Sequence, residues 1–250
     1  PMARINRFIK SHGAIAGIQL AHAGRKAGAA SPWSGVDQLT DAEGGWTTYA
    51  PSAVAFGGEL TRIPQAMTQA DIDRVQQDFV AAAKRSLAAG FEWMELHSAH
   101  GYLGHEFLSP LSNYRTDTYG GIFENRIRFL METTKAVRAV WPESLPFTVR
   151  LSCTDWVDGG WDLDQSVELS RRLKDEGMDL IDCSSGGAVP DAEIPVGPDF
   201  QVPFAERIRT EAKIATAAVG MITEPKQADA IMREGRADLV LLAREFLRDA

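Results

Sequence analysis

Four times along this chain a helix-like stretch ends at a glycine and passes at once into an apolar run: "SHGAIAGIQL", "AAGFEWMEL", "DEGMDLIDC" and "REGRADLVLL". Gly13, Gly90, Gly177 and Gly235 stand where a helix closes in a left-handed conformation, which is least costly for a residue without a side chain. Each apolar run then reads as a buried strand. The stretches 146–152 ("PFTVRLS") and 214–221 ("IATAAVGM") lack the glycine but have the length and β-branched content of strands, which makes six candidates. Between them lie helical patterns. In 68–89, Ile72, Val75, Phe79, Ala83 and Leu87 recur at helical spacing, and Thr68 with Asp71 resembles a capping box. In 124–140, Ile127, Leu130, Met131, Thr134 and Val137 share a face. Strands alternating with helices predict a parallel sheet covered by helices, either doubly wound or closed into a barrel.

The polar residues decide between the two. A doubly wound nucleotide fold runs its first strand into GxGxxG, and that spacing is absent from the sequence. Instead nearly every strand ends in polar residues or glycine: "QLAHAGR", "ELHSAHGY", "VRLSCTDW", "DCSSGG", "VGMIT" and "LLARE". Reactive groups drawn from many strand ends are what the C-terminal face of a (β/α)₈ TIM barrel provides. The expected fold is therefore α/β, one TIM-barrel domain over residues 1–250. A barrel closes with eight strands, so six imply a fragment lacking the first two strands and the last helix. Residues 27–62, rich in Trp, Gly and Pro, read as a long loop over the strand ends.

Composition removes several function classes. A net charge of −8 disfavours a nucleic-acid partner, which is normally met by a concentrated basic face. Apolar runs such as "LVLLA" are too short to span a membrane, so no membrane partner is expected. Cys153 and Cys183 make neither a CxxC pair nor a zinc spacing, and the default compartment is a reducing cytoplasm.

His97 and His100 stand three apart in "ELHSAHGY", with Tyr102 just beyond. In a regular strand residues three apart face opposite ways, so the two histidines converge only if the chain leaves the strand near Ser98. A zinc site needs a third ligand and an open position. Glu95 is expected on the other face, and His22 and Asp182 on other strands, so no metal site is assigned. Satisfied core histidines, or a donor pair facing a ligand oxygen, remain open. Tyr102 then offers a phenol able to donate a proton. Arg150 is a charge inside the apolar strand "FTVRLS" and requires a neighbouring carboxylate or an anionic ligand. Gln19 in "GIQLAH" poses the same problem in neutral form, and a satisfied core amide is as good a solution. Gly220 in "AVGMIT", with the amides of Ala243 and Arg244 in "LLARE", resembles the phosphate site that barrels build after their last two strands.

The strings "GIQLAHAGRK", "ELHSAHGYLGHEFLSPLSNYRTDTYGG", "ENR", "DLIDCSSGG" and "AVGMIT" together resemble the Old Yellow Enzyme family of FMN-dependent ene-reductases, in the bacterial branch that includes YqjM-like and xenobiotic reductase enzymes. The resemblance covers essentially the whole chain. It implies FMN as cofactor, NADPH or NADH as hydride donor, and an electron-poor alkene, an α,β-unsaturated carbonyl or nitro compound, as small-molecule substrate. It implies Gln19 at the flavin pyrimidine edge, Arg150 beside N1 and O2, and Ala243 and Arg244 as the phosphate-binding pair, with Gly220 placed there by the barrel reading above. Many relatives carry Gly where Ala243 stands. His97 and His100 match the pair that bonds the substrate oxygen, and Tyr102 the proposed proton donor. A homo-oligomer is implied for the full-length protein. Two other readings are the barrel portion of a larger flavin and iron–sulfur enoate or dienoyl reductase, and a non-catalytic fragment unable to hold flavin.

Overall fold

The structure is a computed structural model that describes residues 1–31, 33–35 and 37–249. After helix α1 (Met2–Ser11), strand β1 (Gly17–Leu20) opens the main sheet. The loop that follows contains 3₁₀ turns at Gly24–Lys26 and Asp41–Glu43, and reaches a short parallel pair, β2 (Tyr49–Ala50) and β3 (Gln65–Ala66). So the expected 27–62 loop is more ordered than its composition suggests. Pro32 and Val36 within it lie outside the described residues. Helix α2 (Gln69–Ala88) then leads to β4 (Trp93–Ser98). Thr68 and Asp71 form the expected capping box at its start, and Ile72, Val75 and Ala83 are its buried stripe.

Next come α3 (Leu103–Leu108), α4 (Phe123–Arg126), α5 (Arg128–Arg138), β5 (Phe147–Ser152), α6 (Leu163–Asp175) and β6 (Leu180–Ser184). The chain goes on through α7 (Val202–Ala212), β7 (Ala215–Ala218), α8 (Pro225–Arg233), β8 (Leu239–Val240) and α9 (Arg244–Arg248). The expected helix 124–140 is interrupted at Ile127. Its backbone stays helical, at φ −77° and ψ −15°, but the flanking residues are tied to the end of α3 and to the loop after it. Arg126 Nε donates to Leu108 O at 2.8 Å and Arg128 Nε to Thr118 O at 2.7 Å.

All six expected strands form, and they pair in parallel in the order β1-β4-β5-β6-β7-β8. The sheet curls, and its two faces differ. Met94, Leu96, Val149, Leu151 and Ile181 alternate onto the helix-covered face and join Leu130, Val137, Leu169, Leu173 and Ile208 in the main core. Burying such aliphatic side chains contributes about 1.5–3 kcal/mol each. The opposite, concave face carries Gln19, Glu95, Arg150 and Asp182; in register Gln19 stands opposite Glu95, and Arg150 lies between His97 and Asp182. This parity explains why polar residues interrupt otherwise apolar strands. Gly13, Gly90, Gly177 and Gly235 have φ of 80°, 88°, 85° and 70°, the left-handed closures expected of them. Among the described residues no helix is long and apolar enough to cross a membrane.

Candidate active site

The chain leaves β4 at Ser98, and it turns sharply enough to bring both histidines together. His100 and Gly101 are consecutive left-handed residues, at φ 59° and 70°. A non-glycine there costs about 1–2 kcal/mol, so the turn persists only where its surroundings hold it. His100 N donates to Ser152 Oγ at 2.9 Å, and Gly101 N to His105 Nδ1 at 2.9 Å. A Cβ on Gly101 would lie 1.9 Å from Gly187 O, so only glycine fits. His97 is buried, its ring centre 5.1 Å from that of His100 and 5.0 Å from that of Tyr102.

Hydrogen bonds order the imidazoles. Ala99 N donates to His97 Nδ1 at 3.2 Å, which puts the His97 hydrogen on Nε2. That Nε2 lies 3.3 Å from His100 Nδ1, and His100 Nε2 lies 2.6 Å from Ser184 Oγ. Both rings are neutral at physiological pH. Burial, followed by the charge of Arg150, holds His97 down at about 4 and His100 at about 3 against an ordinary 6.5. Above 6.5 neither the folded nor the unfolded chain binds these protons. As pH falls from there towards 4, the unfolded chain takes up protons that the folded one refuses, and stability is lost. For His97 the loss between pH 7 and pH 5 is about 2 kcal/mol. Urea unfolding at the two pH values should show a drop in the wild type that is smaller by this amount in His97→Gln. An equal drop in both proteins would refute the assignment.

The floor of the site is the concave polar face. Gln19 Nε2 donates to Glu95 Oε1 at 2.7 Å, and Thr148 Oγ1 to Glu95 Oε2 at 3.2 Å. Glu95 therefore does not point away from the histidines, as expected above. It lies two residues from His97, so strand alternation puts both on one face. Gln19 thus spends its amide nitrogen on a carboxylate of the next strand, at a position of β1 exposed in this structure. Arg150 Nε approaches Asp182 Oδ2 to 3.1 Å, so the acid on a neighbouring strand is found. The alignment is nevertheless poor: Arg150 Nε and both Asp182 carboxyl oxygens are buried without a hydrogen-bond partner. Burial pushes Asp182 up, Arg150 opposes this, and Glu95 adds to the push. A cavity of about 350 Å³ opens above these four residues.

That cavity shares Val219 and residues 241–243 with a second one of about 470 Å³ at the ends of β7 and β8, lined by Gly220, Ala243 and Arg244. Ala243 caps α9, and the Arg244 side chain is exposed and forms no ion pair among the described residues. Gly220 differs in one respect from its expected use. A Cβ there, at φ 109°, would strike Gln201 Nε2 at 2.6 Å and Phe200 at 2.7 Å, so packing inside the protein already demands the glycine. The two joined cavities, with unpartnered polar atoms at one end and an unpaired arginine at the other, fit an elongated group with a polar ring edge and a phosphate.

Sequence reasoning missed the supports. Glu95 beneath Gln19, the identity of Asp182 as the acid expected beside Arg150, Ser152 and Ser184 around His100, and the buried His105–Asp155 pair at 2.8 Å all escaped it. The alternation Glu95, His97 was a usable signal for the first of these. The others join residues far apart in sequence. Among the described residues no three His, Cys, Asp or Glu side chains gather to hold a metal ion.

Residues 2–250 match the NADH:flavin oxidoreductase / NADH oxidase family. The chain belongs to this family. A curated NADPH dehydrogenase of Geobacillus sp. is 52% identical over 242 residues, which cover 97% of this chain and 66% of that protein. An NADPH dehydrogenase of Bacillus velezensis is 49% identical over 247 residues, 99% of this chain and 68% of that one. The chain thus spans about two thirds of the length of these relatives. Morphinone reductase in complex with tetrahydroNAD superposes with a TM-score of 0.76 at 25% identity, covering 98% of this chain and 66% of that one. Membership in this oxidoreductase family bears out the Old Yellow Enzyme resemblance, with FMN and a nicotinamide nucleotide as the family's cofactors.

Proposed function

We propose that this chain forms most of the active site of an FMN-dependent NAD(P)H oxidoreductase that reduces the C=C bond of activated alkenes, and that its six strands are an arc of a (β/α)₈ barrel. The observation that carries the reading is the convergence of His97, His100 and Tyr102 at the end of β4, beside a cavity floored by Gln19 and Arg150. Gln19 Nε2 is engaged by Glu95, which leaves its carbonyl oxygen to accept a flavin N–H. Arg150 would supply positive charge at the pyrimidine edge, and Ala243 N and Arg244 would hold the phosphate. Bound FMN would supply the hydride relay from the nicotinamide to the β-carbon of the alkene.

The chain's own residues do the rest. A carbonyl or nitro oxygen that displaces the contact between the imidazoles would accept a hydrogen bond from His97 Nε2, a donor already aimed and withdrawn from water. Because both rings are neutral, the substrate oxygen is polarised without being protonated outright. Tyr102, its ring tilted beside that of His97, would deliver a proton to the α-carbon.

The purified protein should carry or take up FMN, and NADPH should bleach the flavin absorbance without oxygen. A protein that binds no FMN overturns the proposal. The double replacement His97→Ala, His100→Ala should raise the Kd of a simple phenol by about 10- to 100-fold, the value of one or two hydrogen bonds, at unchanged flavin content. Equal loss of FMN would assign the pair to structure instead.

A further inference from the structure

Lys26 ends the 3₁₀ turn that follows β1, and none of the steps above uses it. Its ammonium donates to His100 O at 2.8 Å and to Gly187 O at 2.7 Å, and lies 4.0 Å from the centre of the Phe56 ring. Three segments meet on this one cation: the turn that carries His100, the glycine turn after β6, and the long loop after β1. Lys26 forms no ion pair among the described residues. Burial draws its pKa down to about 8, Arg25 acting in the same direction and Glu106 against it.

The cation sits where two backbones are forced together. A Cβ at Gly187 would stand 2.7 Å from His100 Cα, so the two chains touch with nothing between them. Side chains already hold the amides of the turn, His100 N by Ser152 and Gly101 N by His105. The carbonyl of His100 has Lys26 as its side-chain donor, and the same ammonium takes the facing carbonyl of Gly187. Two carbonyl dipoles side by side repel and, if buried unpaired, carry a desolvation cost; a shared ammonium removes both problems.

We propose that Lys26 is a positioning residue that locks the His100–Gly101 turn against the Gly186–Gly187 backbone and thereby aims the His100 imidazole and the Tyr102 hydroxyl. The locking stands on the geometry alone; its consequence for ligand binding rests on the function proposed above.

The test compares wild type with Lys26→Met, which keeps the length of the side chain and removes its donors. Amide hydrogen exchange across residues 98–103 is measured without flavin, and the Kd of a simple phenol is measured on the FMN-loaded protein. Exchange at His100 and Gly101 should speed up by about tenfold or more, the worth of a charge-assisted hydrogen bond, while the strand amides of β5 and β6 stay as slow as before. Phenol binding should weaken by a similar factor at unchanged flavin content, a split that a general loss of structure does not produce. Lys26→Gln, which keeps an N–H donor at shorter reach, should show the same changes in smaller degree, and serves as the readout if Lys26→Met does not fold. Unchanged exchange in the folded variant overturns the proposal. Faster exchange with unchanged phenol binding overturns the aiming role. Faster exchange in a protein whose wild type takes up no flavin supports the lock and refutes the function reading instead.

Discussion

Arg150→Met should match wild type closely in stability at pH 5 but cost about 1 kcal/mol relative to it at pH 9, and should abolish FMN uptake. Arg150 is the cation nearest the Asp182 carboxyl, and Asp182 has only 1% of its side chain exposed. Below about pH 8 the Asp182 carboxyl is neutral and the arginine matters little to it; above that the variant leaves a buried charge without its partner, a cost tempered because 23% of the arginine side chain reaches solvent. The pH dependence has a definite sign. Asp182 already sits above the ordinary 3.8 through burial, and loss of Arg150 raises it further. A carboxyl whose folded pKa is raised is favoured at low pH, where it is neutral. Its penalty grows as pH climbs from 3.8 towards the folded pKa. Denaturant melts at both pH values check this. Adding Asp182→Asn to Arg150→Met should restore the stability lost at pH 9 without restoring FMN. If Arg150→Met falls behind wild type by the same amount at both pH values, Asp182 is not the group that needs the arginine.

Asp155→Ala should cost about 4 kcal/mol, a fall of about 8–16 °C in Tm for a chain of this size. Asp155 and His105 have no exposed surface at all, and one carboxylate serves three donors. His105 Nε2 lies 2.8 Å from Oδ1, while Ser109 Oγ at 2.5 Å and Trp161 N at 2.7 Å donate to Oδ2. Burial raises the carboxyl, but His105, Ser109 and the Trp161 amide more than offset this and hold it below the usual range. Truncation to Ala strands all three donors at once, in a place water does not reach. Since His105 Nδ1 also takes the Gly101 amide, the loss reaches the turn that carries His100. Asp155→Asn keeps the shape and one acceptor, and should lose less than half as much. Calorimetry on both variants decides, and near-equal Tm values for Asp155→Ala and wild type would exclude a supporting role.

Much of this fold is written in short-range pattern. The glycines that close helices, the capping box at Thr68 and Asp71, and the six apolar runs all depend on neighbours within a turn or two, and each took the expected form. The break at Ile127 and the order within 27–62 did not, because both are imposed by contacts from elsewhere: arginine side chains reaching back across a loop, and Arg115 Nη1 reaching Pro51 O and Met67 O. Glu95 was misplaced for a different reason. Alternation already set it on the face of His97, and only the register of β1 against β4 brings its carboxylate to Gln19.

The sequence by itself determined the alternation of strand and helix, the parity that turns Gln19, Arg150 and Asp182 to one side, and the family, since these rest on residue spacing and residue identity along the chain. The tertiary structure alone decided which groups hold one another. Strand register joined Arg150 to Asp182, and packing of loops carried Lys26 across 74 and 161 positions to the carbonyls of His100 and Gly187. Spacing is a local property fixed by the backbone period. Partnership across the sheet is set by how the helices seat the strands, a sum over the whole core that no single stretch of sequence contains.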